Sequence, residues 1–496
     1  MFFYLYEHII AKIKPKDTKM GNYYMNDKYM RMKNVKANID FSEIIGKINF
    51  KSRHSLGIGG VNPAPMPEKV IRGTAKLKPK LIRIFIQEFF FIEKDGGKLD
   101  FTTLDKYMRS VSATGADIMA SICIKPKSLY PVVDETIWKP DDINRWQYII
   151  GEMVKRYSVE NKYVTHWAAA NEINIGEWGG CPYRIDSAKD YFEYYKMTTE
   201  PILKAYPKAK VGGPSYAGLD DKICVWFDEF IGLCKKENIQ LDFISYNNYS
   251  DIPEHHVNPV IKIKEVVDKY DGKNIIEMYM TELNVDLGGL SIEERAYTPQ
   301  RSAGLAAILN DFYKRANFAN TFQYHIYDQF CDPEDFKPFY AMTRYMAEHW
   351  NDSAHRLGLF DEYGKPRPQY FVYDMLYSMA ENEVGVYIGD GVPDAPENNI
   401  RIIASCNDRY NTIFLTNYNP DSNLTEDLTM SFKFKNAQAG ITNMKVYRID
   451  EDMMWDDGAF ELIPVEDRTV YLHDDFHFDI YVPADSVVMI AFDYDV

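Results

Sequence analysis

Two glutamates are the residues whose positions most strongly suggest chemistry. Glu172 follows the apolar run HWAAA, and Glu282 follows the run IIEMYMT. With 73 Asp and Glu among 496 residues, a single glutamate after an apolar run indicates little. Two carboxyl groups brought together can divide the work of catalysis, because one can donate a proton while the other attacks as a nucleophile. The elements that carry the two glutamates therefore decide whether they can act together.

Short apolar runs alternate with longer amphipathic stretches from about residue 54 to 350. Between the runs, apolar residues recur three and four positions apart, which is typical of helices. Eight strand–helix units predict an α/β fold, a (β/α)8 TIM barrel over residues 51–380. A doubly wound open sheet is the alternative, but GIGGVNPAP after the first run does not match its GxGxxG phosphate loop. The eight runs are 55–61, 81–86, 117–124, 166–172, 209–213, 241–246, 275–282 and 321–327.

The end of the chain has a different pattern. From about residue 381, runs such as NTIFLTNY, LTMSFKF and SVVMIAF follow one another with turn residues and no helical stretch between them. This pattern predicts a C-terminal all-β sandwich over residues 381–496. Residues 31–50 contain one strand-like stretch, which we expect to join that sandwich, and residues 1–30 are expected to be an N-terminal tail.

The barrel prediction brings the two glutamates together. Strands four and seven lie nearly opposite each other around the barrel mouth, where active sites of this fold are built. A retaining glycosidase needs two carboxyl groups about 5–5.5 Å apart, one to protonate the leaving oxygen and one to attack the anomeric carbon. We therefore predict Glu172 as the acid/base and Glu282 as the nucleophile.

Several segments resemble clan A glycoside hydrolases. WAAANEINIGEWGGCPY (167–183) is similar to the clan's acid/base strand, and MTELN (280–284) is similar to its nucleophile strand. LIRIFIQEFF, SICIKPKSLYP, AKVGGPSYAG, LDFISYNNY and GLFDEYGKPRPQYFVYDML resemble glycoside hydrolase family 39, the family of β-xylosidases and α-L-iduronidases. The resemblance covers roughly residues 31–496 and implies a retaining glycosidase that needs no metal and no cofactor.

The resemblance also implies substrate-site residues. Asn171 would bond the sugar 2-hydroxyl, Arg83 would donate a hydrogen bond to the nucleophile, and Tyr249 would lie beside it. Trp178, in the loop after strand four, could shape a sugar subsite, although a packed loop side chain is equally compatible with the sequence. Glu88, near another strand end, is expected to support the site.

Two departures from the family pattern concern the substrate. Asn247 stands where the strand-six motif often has a histidine, and His325 stands near the position after strand eight that often holds a tryptophan platform. Both are predicted to bind substrate. Ile173 replaces the proline that usually follows Asn-Glu, which alters the turn rather than the reaction.

The composition narrows the partners. A formal net charge of −16 disfavours a nucleic-acid partner. No apolar run is long enough to predict a membrane span. The six cysteines are scattered and suggest a cytoplasmic protein with reduced thiols. The sequence leaves a homo-oligomer open.

A β-xylosidase acting on plant-type oligosaccharides is the first functional hypothesis. An α-L-arabinofuranosidase or another clan A glycosidase is the alternative of the same class. A carbohydrate-binding barrel without activity is the alternative of a different class. A metal-dependent barrel hydrolase would need a His-x-His at an early strand end, and the sequence has none there.

Overall fold

The computed structural model describes residues 32–94, 97–270, 276–287, 297–332, 334, 351, 356–389 and 399–494. The predicted tail, residues 1–30, lies outside these ranges. Eight parallel strands close into a barrel, and we number them one to eight in chain order. Their bounds are His54–Gly57, Leu81–Gln87, Asp117–Cys123, Val164–Ala169, Lys210–Ala217, Phe243–Tyr249, Glu277–Asn284 and Ala319–Tyr324.

In the described part of the chain, a helix follows each barrel strand and packs outside it. Three of these helices begin at a side-chain cap: Asp142, Ser187 and Asp220 each accept a hydrogen bond from a backbone N–H three residues on. The TIM-barrel prediction is thereby confirmed. The helices are Glu68–Leu77, Thr102–Ser112, Ile143–Val154, Ala188–Ala205, Asp221–Glu237, Pro253–Asp268, Pro299–Arg315 and Pro368–Ser378.

The barrel interior changes character along its axis. Its lower layer is apolar and is formed by inward side chains of strands two, three, four, six, seven and eight: Leu81, Met119, Ala168, Phe243, Tyr279 and Phe322. Inward side chains alternate along a strand, so Arg83, Ser121 and Ser245 lie one layer above three of these residues. The apolar layer closes the bottom of the barrel, and the polar layer forms the floor of its mouth.

The predicted sandwich is one continuous nine-stranded sheet folded over its own core. Phe434 and Phe492, from strands far apart in the sheet order, meet inside with ring centroids 5.3 Å apart. Lys33–Lys47 is the strand predicted near the start of the chain. In sheet order the strands are Glu466–Leu472, Gly440–Ile449, Ser486–Asp493, Tyr410–Asn417, Ile400–Cys406, Asn382–Ile388, Lys33–Lys47, Leu428–Lys435 and His477–Val482.

The sandwich packs on the barrel through the helix Pro299–Arg315. Arg401 bonds Asp311 through Nε at 2.9 Å, and the Tyr313 hydroxyl donates to Glu383 at 2.6 Å. The boundary between barrel and sandwich near residue 380, predicted from the sequence, remains a proposal. No helix in the described ranges is long and apolar enough to cross a membrane.

Candidate active site

A β-bulge in strand seven turns two consecutive side chains into the barrel mouth. The register with strand six shifts after Met280, so Thr281 and Glu282 together stand opposite Asn247. In a regular strand neighbouring side chains point to opposite faces, whereas a bulge re-aims one of them. Glu282 therefore reaches the site together with Thr281. The strand itself continues to Asn284, two residues beyond the strand end predicted from the sequence.

Glu172 lies in a tight turn just after strand four. Its φ is 42° and that of Ala170 is 75°, both in the left-handed region, which costs a non-glycine residue about 1–2 kcal/mol. The Glu172 backbone N–H donates to the Ser215 carbonyl at 2.8 Å, tying the turn to strand five. The turn directs the carboxyl back over the barrel.

Two donors hold the Glu282 carboxylate. Arg83 Nη1 lies 2.9 Å from Oε1, and the Tyr249 hydroxyl lies 2.5 Å from Oε2. Burial and the Glu282 charge raise the pKa of Tyr249 well above its ordinary value, so the phenol stays protonated and donates. Arg83 is itself fully buried and bonded by Nε to Ser121 at 3.1 Å. Both donors stabilise a negative charge on Glu282.

The Glu172 carboxyl has a different environment. It is 8% exposed, and among the described residues the side-chain donor to it is Asn247, from Nδ2 to Oε1 at 2.8 Å. Burial, followed by the charge of Glu282, raises the pKa of Glu172 well above its ordinary value; Asn247 and Arg83 oppose the shift only in part. One carboxyl is therefore paired with donors while burial favours the protonated form of the other, the division of roles that acid and nucleophile require.

Asn171 bridges the two carboxyl environments. Its Oδ1 accepts from Arg83 Nη2 at 2.6 Å, and its Nδ2 donates to the Gly179 carbonyl at 3.1 Å. A Cβ at Gly179 would stand 2.3 Å from Glu172 Oε2, so the loop after strand four lies directly against the predicted acid. Trp178, on that loop, is 55% exposed.

His325 is placed differently from an open platform. It is fully buried, and burial lowers its pKa to about 4, so the imidazole is neutral at neutral pH. Its ring stands edge-on to Tyr324, with centroids 4.9 Å apart. Two other aromatic rings lie beside the predicted site. Tyr324 lies 6.3 Å from Tyr249 between ring centroids, and Phe85 lies under the Arg83 guanidinium at 4.3 Å. The centroids of Tyr324 and Phe85 are 6.4 Å apart.

Glu88 is buried, like the two predicted catalytic carboxyls. It accepts a hydrogen bond from the backbone N–H of Lys125. Burial raises its pKa to about 8. None of its hydrogen bonds in the described structure reaches Glu172 or Glu282; Glu88 contacts the loop after strand three, and its support of the site remains a prediction.

The sequence reasoning overlooked several residues of the site. Phe85 and Tyr324 lie in the predicted barrel runs, and their position at a strand end was the available signal. Ser215 and Thr281 carry no signal of their own, because their importance comes from contacts between strands, and that of Gly179 comes from the way its own loop folds onto Glu172. In the described ranges, no group of three or more His, Cys, Asp and Glu is arranged to hold a metal ion.

The sequence of this chain matches one protein family. The sequence model of glycosyl hydrolases family 39 matches residues 80–460. An alpha-1,4-L-rhamnosidase of Formosa agariphila is 24% identical over 208 residues, 37% of this chain and 39% of that protein. A beta-xylosidase of Caldicellulosiruptor saccharolyticus is 28% identical over 119 residues, 23% of this chain and 22% of that protein. The matched segments thus span well under half of these two relatives.

Solved structures extend the likeness over the whole fold. The crystal structure of a monomeric beta-xylosidase from Caulobacter crescentus superimposes with a TM-score of 0.71 at 16% identity, covering 93% of this chain and all of that one. At this identity the likeness concerns the fold. The family model spans most of the described barrel and part of the sandwich. The chain therefore belongs to glycosyl hydrolases family 39, a family of glycosidases that retain the anomeric configuration by double displacement.

Proposed function

We propose that this chain hydrolyses the glycosidic bond of plant-type oligosaccharides, with a β-xyloside as substrate, using Glu282 as nucleophile and Glu172 as acid/base. The observation that carries the proposal is the contrast between the two carboxyls. Glu282 receives hydrogen bonds from Arg83 and Tyr249, whereas burial and the charge of Glu282 keep Glu172 protonated. Such a contrast separates the two roles at one pH.

The reaction proceeds in two displacements. In the first, a Glu282 oxygen attacks the anomeric carbon while the bond to the leaving oxygen breaks and that oxygen takes the proton of Glu172. In the second, Glu172, now ionised, takes a proton from water as the water oxygen attacks the same carbon and releases Glu282. Two inversions give net retention, and both carboxyls return to their starting states.

The residues around the carboxyls support a neutral sugar as substrate. Asn171, already oriented by Arg83, would bond the 2-hydroxyl, and Asn247 would support the acid. Phe85 and Tyr324 are buried aromatic rings beside Arg83 and Tyr249, and they would supply apolar surface to sugar C–H groups. Trp178 lies on the loop that touches Glu172 and would contact the leaving group of the substrate. His325, which is fully buried, would affect the substrate only indirectly, by packing against Tyr324.

A panel of nitrophenyl glycosides tests the substrate. We expect the β-xyloside to be hydrolysed fastest; the beta-xylosidase among the relatives supports this choice. If the enzyme instead prefers an α-L-arabinofuranoside, a rhamnoside or a uronide, the proposed β-xylosidase activity would be replaced by another specificity of clan A. Binding of xylo-oligosaccharides without hydrolysis of any glycoside would favour the non-catalytic barrel. A cytoplasmic location and a homo-oligomer remain predictions.

Azide separates the roles of the two glutamates. Glu282→Ala should lose activity by on the order of 10⁴-fold. With azide it should form a glycosyl azide of inverted configuration, because the anion replaces the missing nucleophile. Glu172→Ala should retain activity on dinitrophenyl glycosides, which need little protonation, and azide should give the retained product. Exchanged stereochemical outcomes would mean that the roles are reversed.

A further inference from the structure

Thr281 is a buried polar residue to which the reaction above gives no task. It is fully buried and enters the barrel because of the strand-seven bulge. Its hydroxyl lies 2.8 Å from Asn247 Oδ1, closer than to Ser215 Oγ at 3.1 Å or the Tyr246 carbonyl at 3.3 Å. A hydroxyl has one hydrogen, and the shortest of these contacts is the one to the Asn247 amide oxygen.

We infer that Thr281 is a positioning residue which, by orienting the Asn247 amide, determines that Glu172 carries its transferable proton on Oε2. The inference rests on the proposed acid role of Glu172. It assigns Asn247 to holding the acid and adds Thr281 as the residue that keeps Asn247 in the required orientation.

The oxygen and the nitrogen of the Asn247 amide can be assigned from the fixed charge of Arg83. Arg83 is always a donor, so the atom of Asn171 that lies 2.6 Å from Nη2 is the oxygen. The atom of Asn247 that lies 3.3 Å from this oxygen must then be the Nδ2 donor. The Asn247 oxygen is left facing Thr281, whose hydroxyl donates to it. Every partner of the amide is thereby accounted for.

The orientation has a consequence for Glu172. The second hydrogen of Asn247 Nδ2 points at Oε1, 2.8 Å away. A proton on Oε1 would face this N–H, so neutral Glu172 holds its proton on Oε2. In the described structure, no donor bonds to Oε2, which lies on the side of Gly179. The proton is therefore free for the leaving oxygen instead of being engaged inside the network.

Removing the Thr281 hydroxyl should release the amide. A flipped Asn247 would present its oxygen to Oε1, and neutral Glu172 would place its proton there to donate to it. The flipped amide also favours the protonated carboxyl, whereas the present one favours the charged form. The expected signature is therefore a higher pKa for Glu172 together with poorer proton delivery.

Thr281→Val removes the hydroxyl at nearly constant volume. We expect kcat/KM for an alkyl xyloside to fall about 10-fold, the loss typical of a buried hydrogen bond. For the dinitrophenyl xyloside it should change less than about 2-fold. The alkaline limb of the pH profile should move to higher pH. Thr281→Ser should restore both values. Equal loss on both substrates with an unmoved limb would overturn the inference.

Thr321→Val is the matched control. Thr321 is equally buried on strand eight, but its hydroxyl bonds His54 Nδ1 at 2.8 Å instead of the acid network. It should leave the leaving-group dependence and the pH limb as in the wild type; a shift like that of Thr281→Val would overturn the inference.

Asn247→Ala gives a measurement that does not depend on the folding of Thr281→Val, and a double-mutant cycle combines the two changes. Asn247→Ala removes the donor to Glu172 and should also move the alkaline limb to higher pH. Adding Thr281→Val to it should move the limb no further, because both act through one amide. Additive shifts would contradict the inference. A Glu172→Ala variant without leaving-group dependence would instead reject the proposed acid role.

Discussion

Gly179 offers a direct test of how closely the loop after strand four restrains the acid. A Cβ added there would lie 2.3 Å from Glu172 Oε2 and 2.5 Å from Glu172 Cβ, whereas ordinary contacts begin at 3.4 Å. Rotation of the carboxyl could relieve the first contact. The second involves the base of the side chain, so Glu172 and the Gly179 backbone must move apart by about 1 Å.

The expected effect of Gly179→Ala follows from that shift. A misplacement of about 1 Å can reduce catalysis about 10²-fold, and here it affects the proton donor. We expect that loss in kcat/KM for an alkyl xyloside, and a change under about 3-fold for the dinitrophenyl xyloside. The tighter packing should lower the free energy of unfolding by about 1–3 kcal/mol. Steady-state kinetics and urea unfolding measure the two effects.

Gly180→Ala is the control within the same loop. No heavy atom lies within 4 Å of the Cβ it would add, although its φ of 68° makes alanine there unfavourable by about 1–2 kcal/mol. It should lose stability while keeping the leaving-group dependence of the wild type. Wild-type kinetics in Gly179→Ala, or the same kinetic loss in Gly180→Ala, would refute the argument that Gly179 positions Glu172.

Two further predictions concern buried charges. The pKa of Glu88 is raised by burial to about 8 from an unfolded value near 4.5, so its contribution to stability is full below pH 4.5 and is lost as pH rises through 8. Glu88→Gln keeps an oxygen that accepts from the Lys125 N–H and cannot ionise, so it should abolish this pH-dependent loss of up to about 5 kcal/mol in the free energy of unfolding. If the free energy of unfolding falls equally between pH 6 and pH 9 in the wild type and in the variant, the prediction is contradicted. Arg367 pairs with Asp328 at 2.5 Å, with both side chains almost wholly buried. Arg367→Met should lower the free energy of unfolding by about 3–5 kcal/mol, against under about 1 kcal/mol for Lys262→Met at an exposed pair, and equal losses in urea unfolding would contradict it.

The sequence alone predicted the elements of the barrel and led to the two carboxyls, whose roles remain predictions. Strand and helix periods are local properties, so the alternation of eight runs with amphipathic stretches predicted the barrel, which the structure confirms. The same periods located Glu172 and Glu282 at the mouth. Arg83 and Tyr249 came from the family resemblance, and the structure places both in contact with Glu282; their roles in catalysis remain predictions.

Other features of the site depend on the tertiary structure and could not be predicted from the helix and strand periods of the sequence. Strand period alone would turn Thr281 away from Glu282, yet the bulge brings both side chains inside. Gly179 matters because Glu172, seven residues earlier in the same loop, fills the space of its missing Cβ, and His325 is fully buried with its ring edge-on to Tyr324. Strand register and contacts across the barrel arise only when distant segments pack, so no local pattern of residues contains them.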